Sequence, residues 1–235
     1  MEIKFTATHE VAKFHPPVPS SNLIPDWYKE TKSYFSYDGT EKKPFENGEK
    51  SGTIKRCMPV FDVITSGYLI LLPVDVFVTL RLNDIGEKEQ VLSWASANVI
   101  NFHPVEQADK HPKSGGFALP KFINYWIVET PKGYSSLFIP PAHRKAPFEI
   151  LPGIVDTDHY KAQVNFPFAL TDKNFEGLIQ AGTPIAQVIP FKRDSWKMKI
   201  GGEKEIQEQA KIEHRLFSTF FDAYKKMFRQ SKEYK

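Results

Sequence analysis

The side chains best suited to chemistry gather between residues 130 and 191. Asp156 and Asp158 flank Thr157 in Pro152-Gly153-Ile154-Val155-Asp156-Thr157-Asp158, directly before His159 and Tyr160. A carboxylate on a tight turn can take a proton from water and hold that water in line for attack. The same residue type caps backbone N–H groups in turns, so a purely local role stays open for both aspartates. Arg144 follows Pro140-Pro141-Ala142-His143. Its guanidinium can meet an anion or close a surface or intersubunit ion pair. Gln187 lies in the apolar run Gly182-Thr183-Pro184-Ile185-Ala186-Gln187-Val188-Ile189, where an amide can satisfy a buried backbone group.

Other chemistries find less support. Three of the seven histidines, His15, His103 and His111, stand immediately before proline. None heads the His-x-Asp/Glu pairing on one strand that a cupin-type metal site needs, so no metal ligand set is expected. Cys57 is the single cysteine, which excludes an internal disulfide and a cysteine-rich structural zinc site. Lys55 and Arg56 beside it would lower its pKa if it were exposed, but an inert buried thiol is the expectation. No Gly-x-Ser-x-Gly elbow is present, and Gly201-Gly202 alone is a weak phosphate-loop signal.

The elements that would carry these residues are short strands. From Thr53 to Phe191, β-rich runs alternate with Gly/Pro turns: Val60–Ile64, Gly67–Leu72, Val74–Leu82, Gln90–Trp94, Val99–Phe102, Phe122–Glu129 and Tyr134–Ile139. The last two flank Thr130-Pro131-Lys132-Gly133 and predict a hairpin. Asn83-Asp84-Ile85-Gly86 predicts a turn, and residues 103–120 a loop. Many short strands with no repeat period predict an all-β architecture. Residues 1–52 form an irregular segment: Phe14-His15-Pro16-Pro17-Val18-Pro19 must be extended, Ile24-Pro25 leads into a short helix in which Trp27 and Tyr28 pack on the body, and 37–52 is a polar loop. Residues 53–200 form the β domain. Residues 201–235 form a C-terminal amphipathic helix, with Ile206, Ala210, Phe217, Phe220, Phe221, Tyr224 and Phe228 at helical spacing and with acids first and bases last. Its apolar face packs on its own β body or on a partner subunit.

Pro152–Asp158 and Gly182–Ile189, in this order, resemble the third and fourth motifs of the dUTPase and dCTP-deaminase family. That resemblance covers about a quarter of the chain and implies a β-clip fold, a trimer and sites between subunits. It also implies roles. Asp156 matches the aspartate that orients the attacking water, Tyr160 or His159 the tyrosine that stacks on the sugar, and Gln187 a phosphate-binding glutamine, with Arg144 as a displaced phosphate ligand; magnesium enters only if the chain binds a nucleotide. The chain departs from the family elsewhere. The second motif lacks its small hydroxyl and glycine after Pro140-Pro141, Pro184 replaces the usual arginine of the fourth, Lys161-Ala162 replaces the residues that follow the third, and the glycine-rich fifth motif is absent. The chain is also similar to uncharacterised proteins of tailed, marine myovirus-type bacteriophages, notably through Ile24-Pro25-Asp26-Trp27-Tyr28-Lys29. Together these imply a phage-type protein that uses a dUTPase-like scaffold in a non-catalytic structural or regulatory role, in the host cytoplasm or associated with a virion. The alternative is a divergent deoxynucleotide-binding enzyme, a pyrophosphatase or deaminase-like protein.

Composition narrows the classes further. The 235 residues include 19 Phe, 9 Tyr and 4 Trp, ample material for a core. Thirty-one bases against 28 acids leave a net charge of +3, with no basic stripe of the kind that marks a nucleic-acid binder. The amino terminus lacks the apolar run of a signal peptide, and Tyr68–Val74 is too short to span a bilayer. Neither a membrane nor a specific nucleic acid is therefore an expected partner; the resemblances imply instead further copies of the chain, with a trimer favoured, or a phage or host protein.

Overall fold

The structure is a computed structural model that describes residues 1–35, 52–83, 85–115, 118–218 and 223–235. The polar loop expected from residue 37 lies outside these residues up to position 51, as do Asp84 of the expected turn and Phe220 and Phe221 of the expected helix face. The chain divides into two compact units, Met1–Leu23 with Gly67–Arg193 and Ile24–Ser66 with Asp194–Lys235.

The first unit holds all the strands of the described residues. The N-terminal segment is largely irregular but lends β1 (Lys4–Ala7) and β2 (Val18–Pro19). The chain then runs through β3 (Tyr68–Leu71), β4 (Val76–Leu82), β5 (Lys88–Trp94), β6 (Ile100–Phe102), β7 (Pro120–Phe122), β8 (Trp126–Glu129) and β9 (Tyr134–Ile139). It continues through β10 (Phe148–Ile150), β11 (Gly153–Val155), β12 (Phe166–Leu170), β13 (Gly177–Ile179) and β14 (Pro184–Lys192). These assemble into sheets ordered β11-β9-β14-β3-β2, β10-β12-β7-β6, β13-β4-β5 and β1-β8. The all-β body expected from the strand-and-turn pattern is present.

Alternation along the strands builds the core. Phe122 and Phe168 stack with ring centres 4.0 Å apart, Phe148 meets Phe122 edge-on, and Phe138 packs on Phe166. Ile70, Leu72, Val76, Ile150, Ile185 and Val188 fill the space around them. β14 is central, pairing with β3 on one side and β9 on the other, and so reads as a nearly continuous apolar run. Gly67 admits β3 to this position. Its φ is +69°, and a Cβ there would lie 1.9 Å from the Val188 carbonyl oxygen, so no other residue type fits.

One expected pairing differs. β8 and β9 do not form a hairpin: β8 pairs with β1, and β9 pairs with β14 and β11. The turn between them is a corner at which the chain changes sheets. Gly133, at φ +87°, sends its N–H to the Asp158 carboxylate and takes the Arg193 N–H on its carbonyl. Distant segments thus satisfy the backbone groups that a hairpin would have used locally.

The second unit is helical: α1 (Asp26–Glu30), α2 (Met58–Thr65), α3 (Glu203–Ser218) and α4 (Ala223–Met227). α1 is the short helix expected after Ile24-Pro25; its Tyr28 packs on Phe61, ring centres 5.9 Å apart, and donates to the Lys55 carbonyl. Residues 60–64, expected as a strand, lie within α2. A five-residue apolar run cannot separate strand from buried helix by periodicity, and Pro59 in the first turn tips it to helix. Thr65 and Ser66 close that helix by donating back to the Phe61 and Asp62 carbonyls. Asp62 accepts from Arg229 at 2.6 and 2.9 Å and from Lys232 at 2.8 Å, anchoring the C-terminal tail within this unit. The C-terminal helix is present as α3, whose residues 203–215 are all exposed. Among the described residues no helix is long and apolar enough to cross a membrane.

Candidate functional site

The turn after β11 carries the acidic pair. The Asp156 carbonyl accepts the N–H groups of His159 and Tyr160 at 2.9 and 2.8 Å, so the chain reverses within residues 156–160. Beneath the turn lies a hydroxyl cluster in which Thr157 Oγ1 meets Thr130 Oγ1 at 2.7 Å and Ser136 Oγ at 2.9 Å. This cluster fastens the turn to the start of β9.

Arg193, just past the end of β14, is the centre of the arrangement. Its Nη1 and Nη2 donate to the two oxygens of Asp158 at 2.7 and 2.5 Å. Nη1 also reaches the Tyr134 carbonyl, Ser135 Oγ and, at 3.3 Å, Asp156 Oδ1. The Asp158 side chain is only 2% exposed. Arg193 beside it, with the Gly133 N–H, holds its carboxyl well below the usual carboxylate range despite its desolvation. Asp156 differs: Ser135 donates to it at 2.6 Å, yet its side chain remains 61% exposed. His159 is exposed, its Nε2 3.6 Å from Asp158 Oδ2. Tyr160 is half exposed, its hydroxyl 3.4 Å from the Gln163 carbonyl.

The other two residues singled out in the sequence lie elsewhere. Gln187 is fully buried in β14, and its Oε1 accepts the Ala142 N–H at 2.9 Å. That bond ties the 140–147 loop, which holds Arg144, to the sheet. Gln187 faces Ile139 across the strand pair, whereas Lys192 faces Tyr134. At about 3.3 Å per residue, the Gln187 and Arg193 positions stand roughly 15–20 Å apart along β14. The structure therefore brings Asp156, Asp158, His159 and Tyr160 together and sets Gln187 with Arg144 at the opposite end of the β9–β14 pair. Within one chain the six residues do not share a cleft.

Arg193 and Ser135 were not singled out in the sequence. In the sequence Arg193 stands beside Lys192 as one of two adjacent bases. Its role depends on a contact with Asp158 that spans 35 positions, and no local spacing signals it. The carboxylates at the turn face a guanidinium, and among the described residues no group of three or more His, Cys, Asp or Glu side chains gathers as ligands.

No family model matches the chain, and no curated protein matches it. Among solved structures, it aligns with a mutant dUTPase from phage phi11 of S. aureus, whose report describes coordination of a structural Mg(II) ion. The alignment has a TM-score of 0.35 at 11% identity and covers 87% of this chain and 99% of that one. A superposition this loose bears on neither chemistry nor ligand.

Proposed function

We propose that this protein is a non-catalytic scaffold with a structural or regulatory role in assembly or interaction. The observation that carries the reading is the Arg193 network. Three polar groups of the dUTPase-like segment are engaged from within the chain: Asp158 by a two-pronged ion pair, Asp156 by Ser135 and Arg193, and Gln187 by a backbone amide. Groups so engaged stabilise a fold, and a ligand would have to displace them. Self-association fits the same picture. β11 is an edge strand that carries Ile154 at 64% exposure, and an open edge with an apolar side chain favours pairing with another chain. A trimer is the favoured form. A phage-type setting, in the host cytoplasm or a virion, rests on the sequence resemblance alone.

One observation favours a second reading, a divergent deoxynucleotide-binding enzyme. The Asp156 carboxylate is solvent-accessible and could hold a water if another copy supplied the phosphate-binding groups; magnesium would then arrive with the nucleotide. A single experiment separates the two. Purified protein is incubated with each deoxynucleoside triphosphate and magnesium, and product is measured beside Asp156→Ala. The scaffold reading expects no turnover above the variant. Turnover that disappears in Asp156→Ala would replace it with the enzyme.

A further inference from the structure

Asp62, on α2, is a carboxylate filled from far along the chain. Its side chain is only 11% exposed, and a carboxylate that deep is costly to leave without partners. The partners come from the C-terminal tail, 167 and 170 positions away. Arg229 directs Nε and Nη2 to Oδ1 at 2.9 and 2.6 Å, and Lys232 Nζ reaches Oδ2 at 2.8 Å. The guanidinium carbon stands 5.7 Å from the centre of the Phe61 ring, within range of a cation–π contact. Two neighbouring residues of α2 thus receive an arginine and a lysine three positions apart.

The segment that supplies these cations is lightly held in other respects. Among the described residues none from Asp194 onward is buried, and residues 194–215 are all exposed. After Phe228 the tail has no regular secondary structure. Its bonds there include local ones, from the Arg229 N–H to the Tyr224 carbonyl and from Lys232 Nζ to the Gln230 carbonyl. The seat itself is built from other contacts. Pro59 starts α2, the Thr65 and Ser66 hydroxyls close it, and Tyr28 packs on Phe61. A segment with little buried surface belongs to the part of a structure that opens first. What fastens this one is charge and the fork of a guanidinium, and a second segment with the same two cations would present the same groups.

We propose that the Phe61–Asp62 face of α2 is a docking seat for a basic peptide with an arginine and a lysine three residues apart, and that the chain's own C-terminal tail closes it as an autoinhibitory strap. The seat makes no use of the acidic turn, so it stands whether or not the chain is catalytic. The test is calorimetric titration of the full-length protein with a synthetic peptide copying residues 223–235, beside a control peptide with methionine in place of Arg229 and Lys232. A tethered tail competes at an effective concentration on the order of millimolar, so the wild type should bind the peptide roughly 10-fold or more weakly than the double variant Arg229→Met, Lys232→Met, whose own tail cannot close the seat. Binding by the double variant should vanish with the control peptide and when Asp62→Asn is added. Equal binding by wild type and double variant, binding that survives Asp62→Asn, or no binding by a folded double variant would each overturn the proposal. If the double variant does not fold, hydrogen exchange of the wild type in sub-denaturing urea decides instead. The Phe228 and Arg229 amides should then open at lower urea than those of α2, and a single shared opening would overturn the strap.

Discussion

Asp158 and Gln187 show how residues with the makings of a site can be committed to the fold. The Asp158 carboxyl is held below its ordinary pKa by Arg193, so the folded state binds its proton more weakly than the unfolded chain does. The stability this provides is therefore complete above the unfolded pKa of about 3.9 and is lost as pH falls below it towards the depressed folded value. Unfolding followed in urea from pH 6 to pH 2 should show wild-type stability falling below about pH 4, with a shallower fall in Asp158→Asn, which should also be the less stable protein at pH 7. An equally steep acid limb in the variant would show that other carboxylates govern the transition. Gln187→Ala opens a cavity and leaves the Ala142 N–H without its acceptor, a loss of about 1–3 kcal/mol for the unmet donor alone. Chemical denaturation should report at least that loss, and hydrogen exchange should place it partly at the Ala142 amide.

At the scale of elements, the decisive features are those that let distant strands meet. β3 lies flat against β14 because Gly67 has no Cβ, and the 1.9 Å approach of the Val188 carbonyl oxygen leaves no room for one. Gly67→Ala should cost at least about 1–3 kcal/mol from backbone strain before the clash is counted; a fully folded, equally stable variant in a thermal melt would contradict this. The corner at Thr130–Gly133 matters in the same way. By changing sheets there, the chain places the start of β9 beneath the 156–160 turn, where Ser135 meets Asp156 and Ser136 meets Thr157. A true hairpin would have paired β9 with β8 and left the acidic turn without this floor.

At the scale of the molecule, the strand-bearing and helical units carry different surfaces. The first ends on open sheet edges such as β11. In the second, the segment after Arg193 exposes Trp196 at 92%, with Met198 and Ile200 also open and Lys197 and Lys199 between them. Alternation of this kind suits an extended strand laid on another surface. Light scattering on the purified protein should give three times the 27.0 kDa chain mass, the trimer favoured here. A monomer at tens of micromolar would remove the case for assembly through these edges.

The sequence alone carries the all-β class, the C-terminal helix and the acidic turn, because periodicity, turn residues and charge order are local properties that short-range sterics and solvation read directly. It identified Gln187 as an amide in an apolar strand and left open what that amide bonds. Long-range packing settles that Asp158 pairs with Arg193, that Gln187 accepts from Ala142, that Val60–Ile64 coils rather than extends, and that β8 and β9 part company at Gly133. Each of these depends on which distant segment arrives to satisfy a buried donor or acceptor. A low-dielectric interior makes that choice through the cost of leaving the group unpaired, and no window of neighbouring residues contains it.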